Sequence, residues 1–137
     1  MRILATCEII SVGTELLLGD ILNTDAQFLS TELAKMGIGV VYQTTVGDNP
    51  ERLKKALSIA AERSDIIITS GGLGPTPDDL TKEICCEFFD KKCFLHEESL
   101  DKIKQYFANK NIEMPESNVK QAMLPEGCTV FPNNNGT

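Results

Sequence analysis

The sequence predicts an α/β domain built on a mainly parallel sheet. Three observations lead there. First, short apolar or β-branched runs at Cys7–Val12, Gly39–Val46 and Ile66–Ile68 alternate with stretches that repeat apolar residues at helical spacing. Second, each run ends in a turn carrying Gly with Asp, Glu or Thr, which is how a strand hands over to a helix. Third, the order strand, helix, strand, helix, strand, helix favours parallel strands joined by right-handed crossovers. A chain of 137 residues with 42% hydrophobic and 24% charged residues suits one domain, residues 1–137, around one core.

The elements follow in order. Cys7–Val12 reads as the first strand, closed by Gly13-Thr14-Glu15. Leu16–Leu18 is apolar and Gly19-Asp20 breaks it. Asn23–Met36 is a helix, with Ala26, Leu29, Leu33 and Met36 on one face and Gly37 as its natural stop. Thr24 with Gln27 three residues on fits a capping box. Gly39–Val46 is a strand, and Gly47-Asp48 turns into a helix with Asn49 as N-cap, Pro50 at the first position and a stripe of Leu53, Ala56, Leu57 and Ala60. Ile66–Ile68 suits a strand buried on both faces. A third helix is expected over Leu80–Phe89, with Leu80, Ile84 and Phe88 inward. Lys92–Leu95 is a short extended piece, and His96 begins a helix over Glu98–Asn109 with Leu100, Ile103 and Phe107 on one face. Asn111–Pro115 is a loop, Ser117–Met123 a short helix, Leu124–Gly127 a turn, Cys128–Phe131 a strand, and Pro132–Thr137 a polar tail.

The stretch Asp65–Thr81 holds the densest cluster of candidate functional residues. Ser70, Gly71, Gly72, Gly74, Pro75 and Thr76 form a Gly-rich turn between a strand and a helix start, where unshielded N–H groups and the helix dipole can hold an anion. Asp78 and Asp79 follow. Two adjacent carboxylates beside an anion site make sense if a divalent cation bridges them, or if one is a base. A tight turn with a solvated helix cap is the alternative for the same residues. Strand ends are where open parallel sheets carry their sites, so Thr14, Glu15 and Asp48 join the candidates. Parallel topology would place Glu15, Asp48 and Asp79 on one sheet edge. Asn23 and Thr24 serve as caps and, equally, as ligand contacts.

Composition narrows the partners. A net charge of −7 argues against a nucleic-acid partner that relies on a basic surface. No apolar run is long enough to span a bilayer and no secretory pattern opens the chain, so the expectation is a cytoplasmic protein without membrane contact. Cys7, Cys85, Cys86, Cys93 and Cys128 lack CxxC spacing and read as reduced and mostly buried.

Taken together, GTELLLGDILNTD, VGDN, TSGGLGPTPDDLT, NVKQAMLPEG and the final NGT resemble the N-terminal domain of the CinA (competence/damage-inducible protein A) family. More broadly the chain is similar to the molybdopterin-binding fold shared with molybdopterin adenylyltransferases. The resemblance runs from Glu8 to Thr137. It implies a three-layer α/β/α domain in which Gly71–Thr76 holds a phosphate-bearing nucleotide or a pterin-like ligand. It also implies metal-dependent ADP-ribose pyrophosphatase activity, giving AMP and ribose 5-phosphate, with Mg²⁺, Mn²⁺ or Co²⁺ as cofactor and a homo-oligomeric state.

By that resemblance Asp48 and Asp79 match functional carboxylates of the adenylyltransferases. They are expected to hold metal and, with Asp78, to carry catalysis. Gly13, Thr14, Glu15, Asn23, Thr24, Ser70, Gly71, Gly72, Gly74, Pro75, Thr76 and Gly136 are expected to bind substrate. The alternatives are molybdopterin binding or nucleotidyl transfer in molybdenum cofactor biosynthesis, and a non-catalytic nucleotide sensor. Leu73 stands where the transferases usually have Thr, which favours the pyrophosphatase. Asp25 stands where the family usually has Asn. The resemblance runs off the chain just before an expected Ala-Pro-Gly, which implies a domain cut short at that end.

Overall fold

In the computed structural model, which describes residues 2–136, the run Ala5–Val12 (β1) is the middle strand of a three-stranded parallel sheet. Ile38–Val46 (β2) lies on one side of it and Ile66–Ser70 (β3) on the other. Two helices, Thr14–Leu18 (α1) and Thr24–Lys35 (α2), connect β1 to β2, and Pro50–Arg63 (α3) connects β2 to β3. These elements make up one compact unit, Met1–Gly72.

The middle strand explains the core of this unit. Side chains alternate along a strand. Cys7 and Ile9 pack with Ala26, Leu29 and Leu33 of α2 on one face. Glu8, Ile10 and Val12 take the opposite face, where the carboxylate of Glu8 meets Arg63 of α3. The stripe Leu53, Ala56, Leu57 and Ala60 of α3 is buried, as its spacing predicts. The sheet therefore lies between α2 and α3, in the expected layered arrangement. Each fully buried Ile or Leu contributes roughly 1.5–3 kcal/mol, and Ile9, Ile10 and Leu57 are all at 0% exposure.

A bulge in β2 gives the sheet its pattern. Cys7 pairs with Val40 but Glu8 pairs with Tyr42, so Val41 has no counterpart. An extra residue reverses the side-chain alternation beyond it. Ile38 and Val40 accordingly join the α2-side core. Tyr42 and Thr44 instead meet the Glu8–Arg63 pair: Thr44 Oγ1 donates to Glu8 Oε1 at 2.7 Å, and the guanidinium lies 3.6 Å from the Tyr42 ring centroid.

The second unit, Leu73–Thr137, is mostly helical. It contains Thr81–Phe88 (α4), Cys93–Leu95 (β4), Glu97–Asn109 (α5), a 3₁₀ helix Glu116–Ala122 and Met123–Pro125 (β5). β4 and β5 form a short antiparallel pair. Leu100, Ile103 and Ala122 form its core, with Leu95, Phe107, Met114 and Val119 packed around them.

Several expectations need correction. Leu16–Leu18 belongs to a five-residue helix, α1, too short to show an apolar period. The cap of α2 is Asn23, whose side chain accepts from the Ala26 N–H, and not a Thr24 box. Ile66–Ile68 is half-buried, because β3 has only β1 beside it among the described residues. The last strand is Met123–Pro125, and Cys128–Phe131 is irregular; Gly127 at φ 77° turns the chain away first. His96 begins α5 as expected: it is the N-cap, its Nδ1 accepting from the Ser99 N–H and lying 2.7 Å from Ser99 Oγ. Of the five cysteines only Cys7 and Cys86 are buried, and Cys128 is exposed.

Candidate functional site

In the first unit, the C-terminal ends of the three strands gather the candidates that follow them. Gly13 donates its N–H to the carbonyl of Val46, joining the ends of β1 and β2. Thr14 then faces Asp48. Its hydroxyl donates to Asp48 Oδ2 at 3.2 Å and accepts from the Asp48 N–H at 3.2 Å. Asp48 is exposed, so its carboxylate is oriented by Thr14 yet open to solvent. Glu15 folds back over Gly13: a Cβ on Gly13 would lie 2.6 Å from Glu15 Oε1. Asn23 caps α2 and also donates through Nδ2 to Ser11 Oγ at 2.8 Å, tying the helix start to the end of β1. Thr24 is exposed on the first turn of α2.

The end of β3 is the most constrained turn in this unit. Ser70 pairs in register with Ser11. Gly71 and Gly72 both take left-handed backbone, at φ 85° and 68°. A Cβ on Gly71 would sit 2.1 Å from the Val12 carbonyl oxygen, so only glycine can occupy that position. Consecutive left-handed glycines leave successive peptide N–H groups without side-chain cover, the kind of concavity that receives phosphate oxygens.

Within the second unit, Gly74, Pro75, Thr76, Asp78 and Asp79 form the loop ahead of α4. Asp79 is half-buried and holds this loop closed. Its Oδ2 accepts from the Thr76 hydroxyl at 2.6 Å and from the Thr76 N–H at 3.0 Å. A Cβ on Gly74 would lie 2.6 Å from the same oxygen. The Thr76 hydroxyl, ahead of the Thr76 and Gly74 N–H groups and Lys120, holds the Asp79 carboxyl below the usual carboxylate range. Asp78 is exposed, and Gly136 lies in the exposed tail.

Lys120 is the residue that sequence reading missed. From the 3₁₀ helix its Nζ donates to the carbonyls of Thr76, at 2.7 Å, and of Asp79. Lys82 in turn donates to the Lys120 carbonyl. A lysine 41 residues beyond Asp79 gives no local signal of such a role. Among the described residues no three His, Cys, Asp or Glu side chains gather as a ready-made metal cage. No helix among them is long and apolar enough to cross a membrane.

Comparison with known proteins identifies the family. The family described as "Probable molybdopterin binding domain" matches residues 8–134. A CinA-like protein of Dictyoglomus turgidum is 65% identical over 131 residues, covering 96% of this chain and 32% of that protein. The crystal structure of the protein CinA from Thermoplasma acidophilum matches with a TM-score of 0.85 at 31% identity, over 96% of this chain and 76% of that one. The chain belongs to the molybdopterin-binding domain family, on its CinA branch. This CinA-family chain spans about a third of the length of the curated relatives it matches. Its fold is shared with the molybdopterin biosynthesis enzyme MoaB of Thermus thermophilus, at a TM-score of 0.62 and 22% identity over 89% of this chain and 79% of that one.

Proposed function

We propose that this domain binds a phosphate-bearing pterin of the molybdopterin class at the strand ends of its first unit. The observation that carries the reading is the Gly71–Gly72 pair, left-handed at both positions and packed against the end of β1, in a chain whose family is described by molybdopterin binding. The peptide N–H groups of this turn would receive the phosphate. Thr14 and Asn23, both fixed by hydrogen bonds, would orient the rest of the ligand.

Asp48 is the better choice of the two expected metal ligands. Its exposed carboxylate is held in place by Thr14 alone among the bonds above, whereas Asp79 Oδ2 already accepts twice from Thr76. A site with one such carboxylate suits Mg²⁺, which keeps several waters and binds through one or two carboxylates and the ligand's own phosphates. Mn²⁺ or Co²⁺ would fit the same description. The ion would supply charge neutralisation at the ligand's phosphate.

A second reading is hydrolysis of ADP-ribose to AMP and ribose 5-phosphate. Leu73, exposed in the glycine-rich stretch where the pterin transferases usually carry Thr, favours it. Calorimetry with a molybdopterin-class pterin and with ADP-ribose, each with and without Mg²⁺, separates the two, with chromatography for AMP. The expected result is pterin binding strengthened by Mg²⁺ and no AMP. Steady AMP release from ADP-ribose would replace the first reading with the second. Nucleotide binding indifferent to metal and without turnover would leave a sensor domain.

A further inference from the structure

Cys86 on α4 and Cys93 on β4 place their sulfurs 3.0 Å apart. A disulfide needs about 2 Å between them, so the two sulfurs stand about 1 Å short of bonding distance. Both sulfurs sit on held elements. The turn between them is closed by the Lys91 N–H on the Cys86 carbonyl, at 2.8 Å, with Asp90 at φ 52° reversing the chain. Cys93 is pinned opposite Pro125 in the β4–β5 ladder, and the Glu126 N–H donates to the Lys92 carbonyl beside it.

We propose that Cys86 and Cys93 are a reversible thiol-modification site that exchanges with low-molecular-weight disulfides. The two thiols divide the work by exposure. Cys93 is half-buried, whereas Cys86 is 5% exposed. Burial, ahead of the hydrogen bond with Cys93, pushes the Cys86 thiol up to about 12. Entry is therefore through Cys93. Its thiolate attacks one sulfur of the small disulfide, forming a mixed disulfide and expelling one small thiolate. The Cys86 sulfur then attacks the Cys93 sulfur, giving the Cys86–Cys93 bond and expelling the second small thiolate. That leaving thiolate takes the Cys86 proton. The protein loses two electrons and two protons, and the small disulfide becomes two thiols. The bond would tether the end of α4, the helix that begins just after the Asp79 loop.

The test uses the whole chain in graded mixtures of reduced and oxidised glutathione, alkylated and mapped by mass spectrometry after trypsin. The expected product joins peptides 83–91 and 93–102 through Cys86, not Cys85. In C86S, glutathione should remain on Cys93, because nothing resolves it. Exposed Cys128 serves as the internal standard, with the oxidised form raised until Cys128 is glutathionylated. A linkage through Cys85 under that condition overturns the proposal. So does a Cys93 that stays a free thiol in both proteins.

Discussion

Gly71 and Gly19 separate two costs that usually arrive together. Both are left-handed, at φ 85° and 78°, but only Gly71 faces a neighbour within contact distance, the Val12 carbonyl. Gly19→Ala should cost about 1–2 kcal/mol from backbone conformation alone. Gly71→Ala should cost more than about 3 kcal/mol, since the strand end must move as well. Urea denaturation of the two variants checks the difference, and equal losses would mean that the turn is not pressed against β1. Glu8 makes the second argument at this scale. It is fully buried, accepts from Arg63 Nε and Nη2 at 2.8 Å each, and is held below the usual carboxylate range chiefly by Arg63. A carboxyl depressed in the folded state adds stability above its unfolded value of about 4.3, and that stability is lost as pH falls through the folded value. Glu8→Gln should therefore flatten the acid limb of the stability curve. Arg63→Ala should lower stability at neutral pH, because it strands the buried Glu8 charge, and the loss should shrink as Glu8 is protonated in acid.

At the scale of elements, caps and loop closures set the boundaries. Asn49 accepts from the Arg52 N–H and does no more among the bonds above, so Asn49→Ala should cost about 1 kcal/mol. Asn23 caps α2 and also holds Ser11, so Asn23→Ala should cost about 2 kcal/mol. Thermal melts of the pair test whether the second bond matters. The sequence leads one to expect Asp79 as a surface carboxylate whose loss leaves the fold unmarked. The closed Thr76–Asp79 loop changes that expectation. Asp79→Ala should lower stability by about 1–2 kcal/mol, with faster amide exchange at Thr76. An unchanged melt and unchanged exchange would return Asp79 to the role of a free surface acid. Local patterns made the long elements legible: Asn49-Pro50 and the Leu53–Ala60 stripe mark α3 within a residue or two. They could not reveal α1, whose five residues make little more than one turn, too few for an apolar stripe to repeat. Nor could they reveal Lys120 or the Cys86–Cys93 contact, which come together only through packing.

For the whole molecule, the parallel order of β1, β2 and β3 follows from the alternation of strands and helices, and the turns after them were readable as one group of candidates. The sequence carried no sign of the bulge at Val41, because a strand with one extra residue has an unremarkable composition. Native-state hydrogen exchange should reflect the resulting topology. Amides of Cys7–Ser11, paired on both sides and buried, should exchange last, and those of α1, which buries no residue, among the first. Equal protection across the three strands would contradict a sheet centred on β1. The bulge also makes the chain's length, and not only its chemistry, part of the specification. Ile38 and Val40 upstream of Val41 face α2, whereas Tyr42 and Thr44, the same parity downstream, face the pair that Glu8 makes with Arg63 of α3. Deleting that one exposed residue would remove no core atom. It would nevertheless force either Ile38 and Val40 out of the α2-side core or Tyr42 and Thr44 off the opposite face, and the second outcome would take the Thr44 hydroxyl from Glu8. A gene library of single-residue deletions should therefore find Val41, an exposed position where most substitutions pass, as intolerant as the buried strand beside it.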